Sequence, residues 1–592
     1  MAKSTARSAG TSASGVSAPA STASAKTRAA EAARARAKPA FPATMPMGQF
    51  LFAYLEAKGV RHSFGVPGDF ALPTFAWLEK SNIESITMVH EPGAGFAADA
   101  YARLNGIGLV MVTYCVGGLN VLNAIAGAYA EKSPVVVVSG APGRRDRETD
   151  PLLHHKVKTF DTQRRVYEEV TVANTVLLDE NTAAGEIVRV VEACLKHKRP
   201  VYIEVPHDMV DRPIPTIQPE AYKPADESDP EVLAAAIEEV GQMLAKARKP
   251  VILAGVELHR YGLADGVVKL AETLNIPIAA DLLSKSTVAE AHPLYLGVYG
   301  GAMSSDEATR QYVETADCVL MLGSFITDMN LGIYTAKLNR KHTALITTEE
   351  CTVGYHKFDQ VKFDDFLREI QKLNVPAKQF KHPNPPTEPK PLAKHELQEQ
   401  LTMPEVMRIV GLNLDENSCV VSDVGDAIFG AVGIRTNARA EFVAPAYYLS
   451  MGFAVPAGIG VEKANAKLRA FVLVGDGAFQ MTGTELATAI RCGTRPIVIV
   501  LNNDGYGTMR QIRDGSFNVI SRWNYTKIVE LCGGGAEATV ATTRGELDGA
   551  IKAALGSNRP RVIEVRVDRN DRSPQLAQMS AELARLRNPG KK

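Results

Sequence analysis

Asp476, in Gly475-Asp476-Gly477-Ala478, and Asn503, in Asn502-Asn503-Asp504-Gly505, stand 27 residues apart and offer hard oxygen ligands beside glycine turns. A carboxylate, an amide oxygen and the Gly505 carbonyl suit Mg²⁺, which keeps about six oxygens and completes its shell with water and phosphate oxygens. The glycines let backbone approach such phosphates, and the amides of Gly477 and Ala478 can donate to them. A bare Gly-Asp-Gly is usually only a turn. Its pairing with a second motif at this spacing, each closing an apolar run, is far more specific.

Those apolar runs supply the positioning elements. Ala470–Val474 and Pro496–Leu501 read as buried parallel strands, with Thr484–Arg491 as the crossover helix between them. Asp476 and Asn503 then emerge side by side at the strands' carboxyl ends, where α/β sheets hold ligands. A second set of candidates lies near the other end of the chain. Gly65-Val66-Pro67-Gly68-Asp69 closes one strand, and His90-Glu91-Pro92-Gly93 opens a helix. Taken alone, Glu91 reads as a helix N-terminal carboxylate stabilised by the macrodipole, and the adjacent His154 and His155 as a solvated loop.

From Met47 onward helical and strand-like segments alternate, which predicts a chain of α/β layers. The composition shifts divide it into a tail over 1–44, a first unit over 45–225, a second over 226–376, a Pro-rich linker over 377–394, a third unit over 395–570 and a C-terminal tail over 571–592. The strand-turn at Gly255-Val256-Glu257 lacks a G-x-G-x-x-G pattern, so nothing in the second unit asks for a dinucleotide.

A chain of 592 residues is too long for one core. Lysine plus arginine balance aspartate plus glutamate at 66 each, so no basic excess points to nucleic acid or a membrane surface. Seven scattered cysteines without a C-x-x-C pair argue for a reducing, cytoplasmic setting and against a disulfide framework or zinc site. No run approaches the roughly 18 apolar residues needed to span a bilayer. The first 40 or so residues, rich in Ala, Ser and Arg with one acid, Glu31, cannot offset their chain entropy and are expected to be disordered. Their composition fits both a solvated tail and an organellar transit peptide.

Gly-Asp-Gly with Asn-Asn-x-Gly resembles the diphosphate-Mg²⁺ motif of thiamine diphosphate enzymes. The turn at 65–69, the run from His90 to Arg103, Gly117 to Glu131 and Leu152-Leu153-His154-His155 are similar to the 2-oxo acid decarboxylase branch of that family. The resemblance covers about Met47 to Arg566. It implies three doubly wound parallel-sheet α/β domains, pyrimidine-binding, central and diphosphate-binding, and non-oxidative conversion of 2-oxo acids to aldehydes and CO₂. By it, Glu91 matches the glutamate that holds the pyrimidine, and Asp69, His154 and His155 match acid–base residues over the thiazolium. Gly425, Asp426 and Ala427 match a segment touching the cofactor. Met451 matches the apolar wedge that bends it, and the Leu449 carbonyl an acceptor for its amine. The family pairs the pyrimidine domain of one subunit with the diphosphate domain of another, which implies a homodimer at minimum and a homotetramer as a dimer of dimers.

Two departures bear on chemistry. Met509 stands where pyruvate decarboxylases carry a glutamate aimed at the reacting carbon, and methionine cannot transfer a proton. Glu290 is the expected substitute acid. Ile428 stands where pyruvate-specific relatives carry a tryptophan, which predicts a wider apolar pocket for aromatic or branched 2-oxo acids. Two alternatives remain open at this point: a carboligase that forms acyloins, which Met509 keeps in play, and a degenerate relative that binds the coenzyme without turning it over.

Overall fold

The computed structural model describes residues 41–221, 227–385, 390–435 and 440–587. The expected tail over 1–44 lies outside these residues up to position 40. Its last part does not: Thr44–Pro46 is a strand, paired antiparallel with Pro213–Pro215. Two prolines mask that second segment as a strand, because an edge strand needs few ladder donors.

Three sheets follow. The first is all parallel, in the spatial order Glu84–Thr87, His62–Gly65, Gly108–Val112, Val135–Ala141, Val201–Pro206, Asn174–Val176. Its middle strands are Val-rich because both faces are covered: every residue from Val135 to Ala141 is buried. The second sheet runs Tyr295–Val298, Ile278–Ala280, Pro250–Ala254, Cys318–Leu322, Thr343–Ile346 in parallel, then departs from a wholly parallel plan with an antiparallel edge of Cys351–Val353 and His356–Lys357. The third, again parallel, runs Glu441–Val443, Ser418–Ser422, Arg469–Gly475, Ile497–Asn502, Arg561–Arg566, Glu537–Ala541.

The first and third units are fused within one chain by the helices Glu91–Asn105 and Ala454–Ala464. Both are rich in Ala and Gly, and that smallness sets their distance: a Cβ on Gly460 would meet the Ala97 carbonyl oxygen at 2.1 Å. The result is one apolar core shared by both units, with Phe96 edge-on to Phe453. The second unit is joined to the first by a fully buried ion pair of Lys132 with Glu257, at the end of the Pro250–Ala254 strand.

Two segments read as unstructured are built into the fold. Of the 377–394 linker, Lys378 exchanges hydrogen bonds with Leu274 and Asn275, and His382 contacts the Tyr295 carbonyl at 2.8 Å; residues 386–389 lie outside the described ones. The C-terminal stretch is a helix over Pro574–Arg587, started by Ser573, whose backbone and hydroxyl donate to the Asp426 carboxylate at 2.9 and 2.5 Å. Leu576 and Met579 of this helix are buried against Phe429 and Val432. The crossover helix also begins earlier than expected, as Asp476–Thr482, a tight turn at Gly483–Glu485 and then Leu486–Arg491.

Candidate active site

In the third sheet the strand order reverses between Ser418–Ser422 and Arg469–Gly475, and the loops after these strands form a cleft of about 330 Å³. Asp476 opens its floor. The side chain is 2% exposed and accepts from the amides of Gly477 at 2.7 Å and Gly505 at 2.9 Å. Burial pushes its carboxyl up to about 6, against the pull of those amides and of the Arg510 guanidinium. Asn503 is buried beside it, so close to Gly507 that a Cβ there would strike the Asn503 amide nitrogen at 2.2 Å. Gly505 has φ +124°, which favours glycine, and its carbonyl already accepts from the Gly507 amide at 2.8 Å. A second lone pair remains for an ion. Gly477 lies under the Tyr506 ring, 2.5 Å from where a Cβ would be.

Arg510, which sequence reading missed, holds this loop from beneath: Nη1 donates to the carbonyls of Asn503 at 3.0 Å and Arg569 at 3.1 Å, and Nη2 to that of Asp504. Asp423 was missed as well. Fully buried, it accepts from the amides of Val424 at 2.9 Å, Gly452 at 3.2 Å and Ala454 at 2.9 Å, and burial raises its carboxyl to about 6 against those amides. It thereby fixes the turn that carries Leu449, left-handed at φ +59°, and Met451, both lining the cleft. From the other side Glu131 of the first unit accepts from Tyr447 and Tyr448, and Asn123 donates to Ser450. The signal for Asp423 was its place at a strand end two residues before the Gly425 turn.

Gly425, Asp426 and Ala427 also line the cleft. The Asp426 carboxylate is committed to Ser573, so only its backbone faces a ligand. Two expectations are corrected here. Ile428 is fully buried between Leu282, Val298 and the C-terminal helix and does not line the cleft; its neighbour Phe429 does, because successive helical residues point about 100° apart. Glu290 sits in a buried pair with Lys285 at 2.5 Å, and Lys285 also donates to the Ile434 carbonyl. That pairing occupies the carboxylate, and Glu290 is not among the residues that line the cleft. Met509 does line it, with Met329, Ile333, Ile512, Met579 and Leu583, an apolar wall drawn from all of the central loop, the Asn-Asn loop and the C-terminal helix.

In the first unit Glu91 begins its helix after His90, its side chain 14% exposed, and accepts from Asn120 at 2.6 Å. Glu485, reaching over from the third unit of the same chain, accepts from the Val89 and His90 amides at 3.2 Å and so caps that helix. Asp69 and His154 form a hydrogen bond of 2.5 Å, Phe70 stacks on His154 at 4.8 Å, and His155, left-handed at φ +65°, stands 3.9 Å from Asp69. Burial acts to raise the Asp69 carboxyl, but the bonds from His154 and the Phe70 amide, with the charge of both imidazoles, hold it below the usual carboxylate range. Half of its side chain meets solvent. None of Asp69, Glu91, His154 and His155 lines the cleft of their own chain.

The chain matches three family models: thiamine pyrophosphate enzyme, N-terminal TPP binding domain, over residues 45–164; central domain, over 237–361; and C-terminal TPP binding domain, over 423–565. It is 36% identical over 549 residues to indole-3-pyruvate decarboxylase of Azospirillum brasilense, covering 92% of this chain and 99% of that protein. This chain belongs to the thiamine diphosphate-dependent 2-oxo acid decarboxylases. A probable pyruvate decarboxylase of Schizosaccharomyces pombe and pyruvate decarboxylase 2 of Arabidopsis thaliana are each 32% identical, covering 92% and 93% of this chain and 97% and 93% of theirs. The decarboxylase is a carboxy-lyase, and its cofactor is thiamine diphosphate.

The residues present fit that cofactor. Asp476 is a buried carboxylate that accepts from two amides and forms no ion pair among the described residues, which suits an ion carrying a diphosphate. Gly425, at φ +80°, leaves space that a side chain would fill.

Proposed function

We propose that this decarboxylase acts on 2-oxo acids with aromatic or branched side chains, uses Mg²⁺ with its coenzyme, and works as a homodimer or a homotetramer built from dimers. The observation that carries the substrate reading is the wall of Met329, Ile333, Phe429, Met509, Met579 and Leu583, which is apolar throughout. The indole-3-pyruvate decarboxylase relative agrees with it. The seven cysteines, all free thiols, support a reducing, cytoplasmic setting.

When bound, thiamine diphosphate supplies the electron sink for cleavage of the bond to the carboxylate. The chain's residues do the rest. Asp476, Asn503 and the Gly505 carbonyl would hold Mg²⁺, and the Gly477 and Ala478 amides would take the diphosphate oxygens. Met451 would support the coenzyme from below, and the Leu449 carbonyl would accept a hydrogen bond from its amine. Glu91 of a second copy would hold the pyrimidine at one ring nitrogen. Asp69 and His154, sharing a hydrogen bond, keep a proton ready to deliver to the product carbon. The apolar wall excludes water, which favours loss of charge as CO₂ departs.

Exposed apolar side chains support the second copy. Val116, Leu152 and Val157 surround the Glu91 half, and Met481, Ile512, Phe517, Val519 and Trp523 surround the Asp476 half. A kinetic panel of pyruvate, 2-oxoisovalerate, phenylpyruvate and indolepyruvate tests the substrate reading. Higher kcat/KM for the two aromatic acids supports it, and a preference for pyruvate ends it. Acyloin in place of aldehyde as the main product would select the carboligase alternative.

A further inference from the structure

Glu91 is held at one oxygen. Asn120 Nδ2 donates to its Oε2 at 2.6 Å and His90 Nε2 stands 3.9 Å from the same atom. Oε1 has no hydrogen-bond partner among the described residues, and Gly117, where a Cβ would lie 3.6 Å away, keeps its surroundings open.

Asn120 is delivered to that position by a buried polar network. It ends the five-residue helix Val116–Asn120, which starts from Cys115 in a left-handed conformation at φ 50°. The Cys115 amide donates to Gln163 Oε1 at 2.7 Å, and a Cβ on Gly118 would strike that same oxygen at 2.1 Å. Gln163 is fully buried and donates in turn to Ser139 Oγ at 3.0 Å and to the Tyr202 hydroxyl at 2.5 Å, which donates to the buried Glu204 at 2.5 Å. Arg147 closes the network on Glu204. Strained backbone persists only where its surroundings over-determine it, and here they fix the helix whose last side chain meets Glu91.

We propose that Asn120 is the positioning residue for Glu91: by engaging Oε2 it fixes the carboxylate's rotamer and leaves Oε1 as the oxygen offered to a ring nitrogen of the coenzyme. This rests on the coenzyme reading above and adds to it the choice of oxygen and the residue that makes the choice. Asn is suited to the task because it donates at every pH without carrying charge. The charged or titratable neighbours are His90, whose Nε2 lies 2.8 Å from Asn120 Nδ2 and 3.9 Å from Glu91 Oε2, and Glu485 of the third unit, which accepts from the Val89 and His90 amides.

The test is coenzyme binding, followed by titration of the Mg²⁺-supplemented dimeric protein with thiamine diphosphate from pH 6 to 8, with melting temperature measured in parallel. Asn120→Ala is expected to weaken binding by about tenfold, the worth of one charge-assisted hydrogen bond. Asn120→Ser keeps a hydroxyl donor and is expected to recover most of that loss. Asn120→Asp places a second carboxylate against Oε2. Its loss is expected to be largest at pH 8 and to shrink toward pH 6, where a proton shared by the pair restores a donor. The proposal is overturned if Asn120→Asp binds like wild type across the range, or if all three variants lose affinity equally and only in step with their melting temperatures. Wild-type protein that fails to bind the coenzyme would instead sink the site reading on which the proposal rests.

Discussion

The first and third units share one topology: in each, the first strand of the sheet lies between the second and the third, and the chemistry collects at that switch point. What they present there differs. The first unit offers titratable side chains, Asp69, Glu91, His154 and His155, on a surface open to solvent or a partner. The third offers backbone amides, carbonyls and one buried carboxylate, arranged by glycines and by Arg510 and Asp423 from behind. A diphosphate with its ion needs fixed dipoles that cost no reorganisation, whereas proton transfer needs groups whose charge can change. The same sheet order serves both because the loops at the switch point, not the strands, carry the difference.

The comparison breaks most visibly at Asp476. Asp476→Ala is expected to lose more coenzyme affinity than the roughly 10–100-fold typical of an outer-shell metal partner, as measured by titration with thiamine diphosphate and Mg²⁺. Unchanged binding would remove the third unit from its role. Mixing Glu91→Gln chains with Asp476→Ala chains then asks which copies cooperate. If the halves come from different chains, half of the dimers are mixed and each has one intact site of two, so about a quarter of wild-type activity returns. No recovery after confirmed subunit exchange would place both halves in one chain.

Glu290→Gln sharpens the contrast between site and scaffold. Breaking its buried pair with Lys285 is expected to cost about 3–5 kcal/mol of stability in denaturant unfolding, with kcat of the folded enzyme retained. A large fall in kcat at unchanged stability would return Glu290 to the chemistry.

A pH test isolates Asp423. Its folded carboxyl lies above the ordinary value of 3.8, at about 6, so its charge opposes folding: the penalty is absent below about pH 4, grows as pH rises through both values, and is complete above about 6. The stability of wild type relative to Asp423→Asn should therefore fall by up to about 3 kcal/mol between pH 4 and 7 in parallel denaturant titrations. A flat difference would mean that the amides around Asp423 fully compensate its burial. The smallest effect concerns the apolar wall. Met509→Ala should change the kcat/KM ratio of phenylpyruvate to pyruvate by about tenfold or less, the scale of discrimination by apolar contacts. A ratio identical to wild type would take Met509 off the substrate's path.

Much of this was legible before the fold. Val135–Val138, Pro250–Ala254 and Ile497–Leu501 lie in strands because they are apolar on every position, which only a sheet covered on both faces requires. Asp476, Asn503 and Met451 were found because glycine and spacing mark them locally. What escaped was non-local. Asn120 and Glu485 matter through contacts with Glu91 and the His90 amide, and nothing in their own neighbourhoods announces it. Pro213–Pro215 and the final helix looked like breaks because edge strands and docked termini have weak local signals.

The amino-acid order by itself determined the strands, the glycine turns and the ligand chemistry, since these follow from hydrophobic pattern and from donor atoms a few residues apart. Only the tertiary structure decided the direction in which a side chain on a known element points. It turned Ile428 into the core and Phe429 into the cleft, and tied Glu290 to Lys285. A helix's phase against its neighbours and the partner of a buried charge are both set by packing among segments far apart in the chain, where local pattern carries no information.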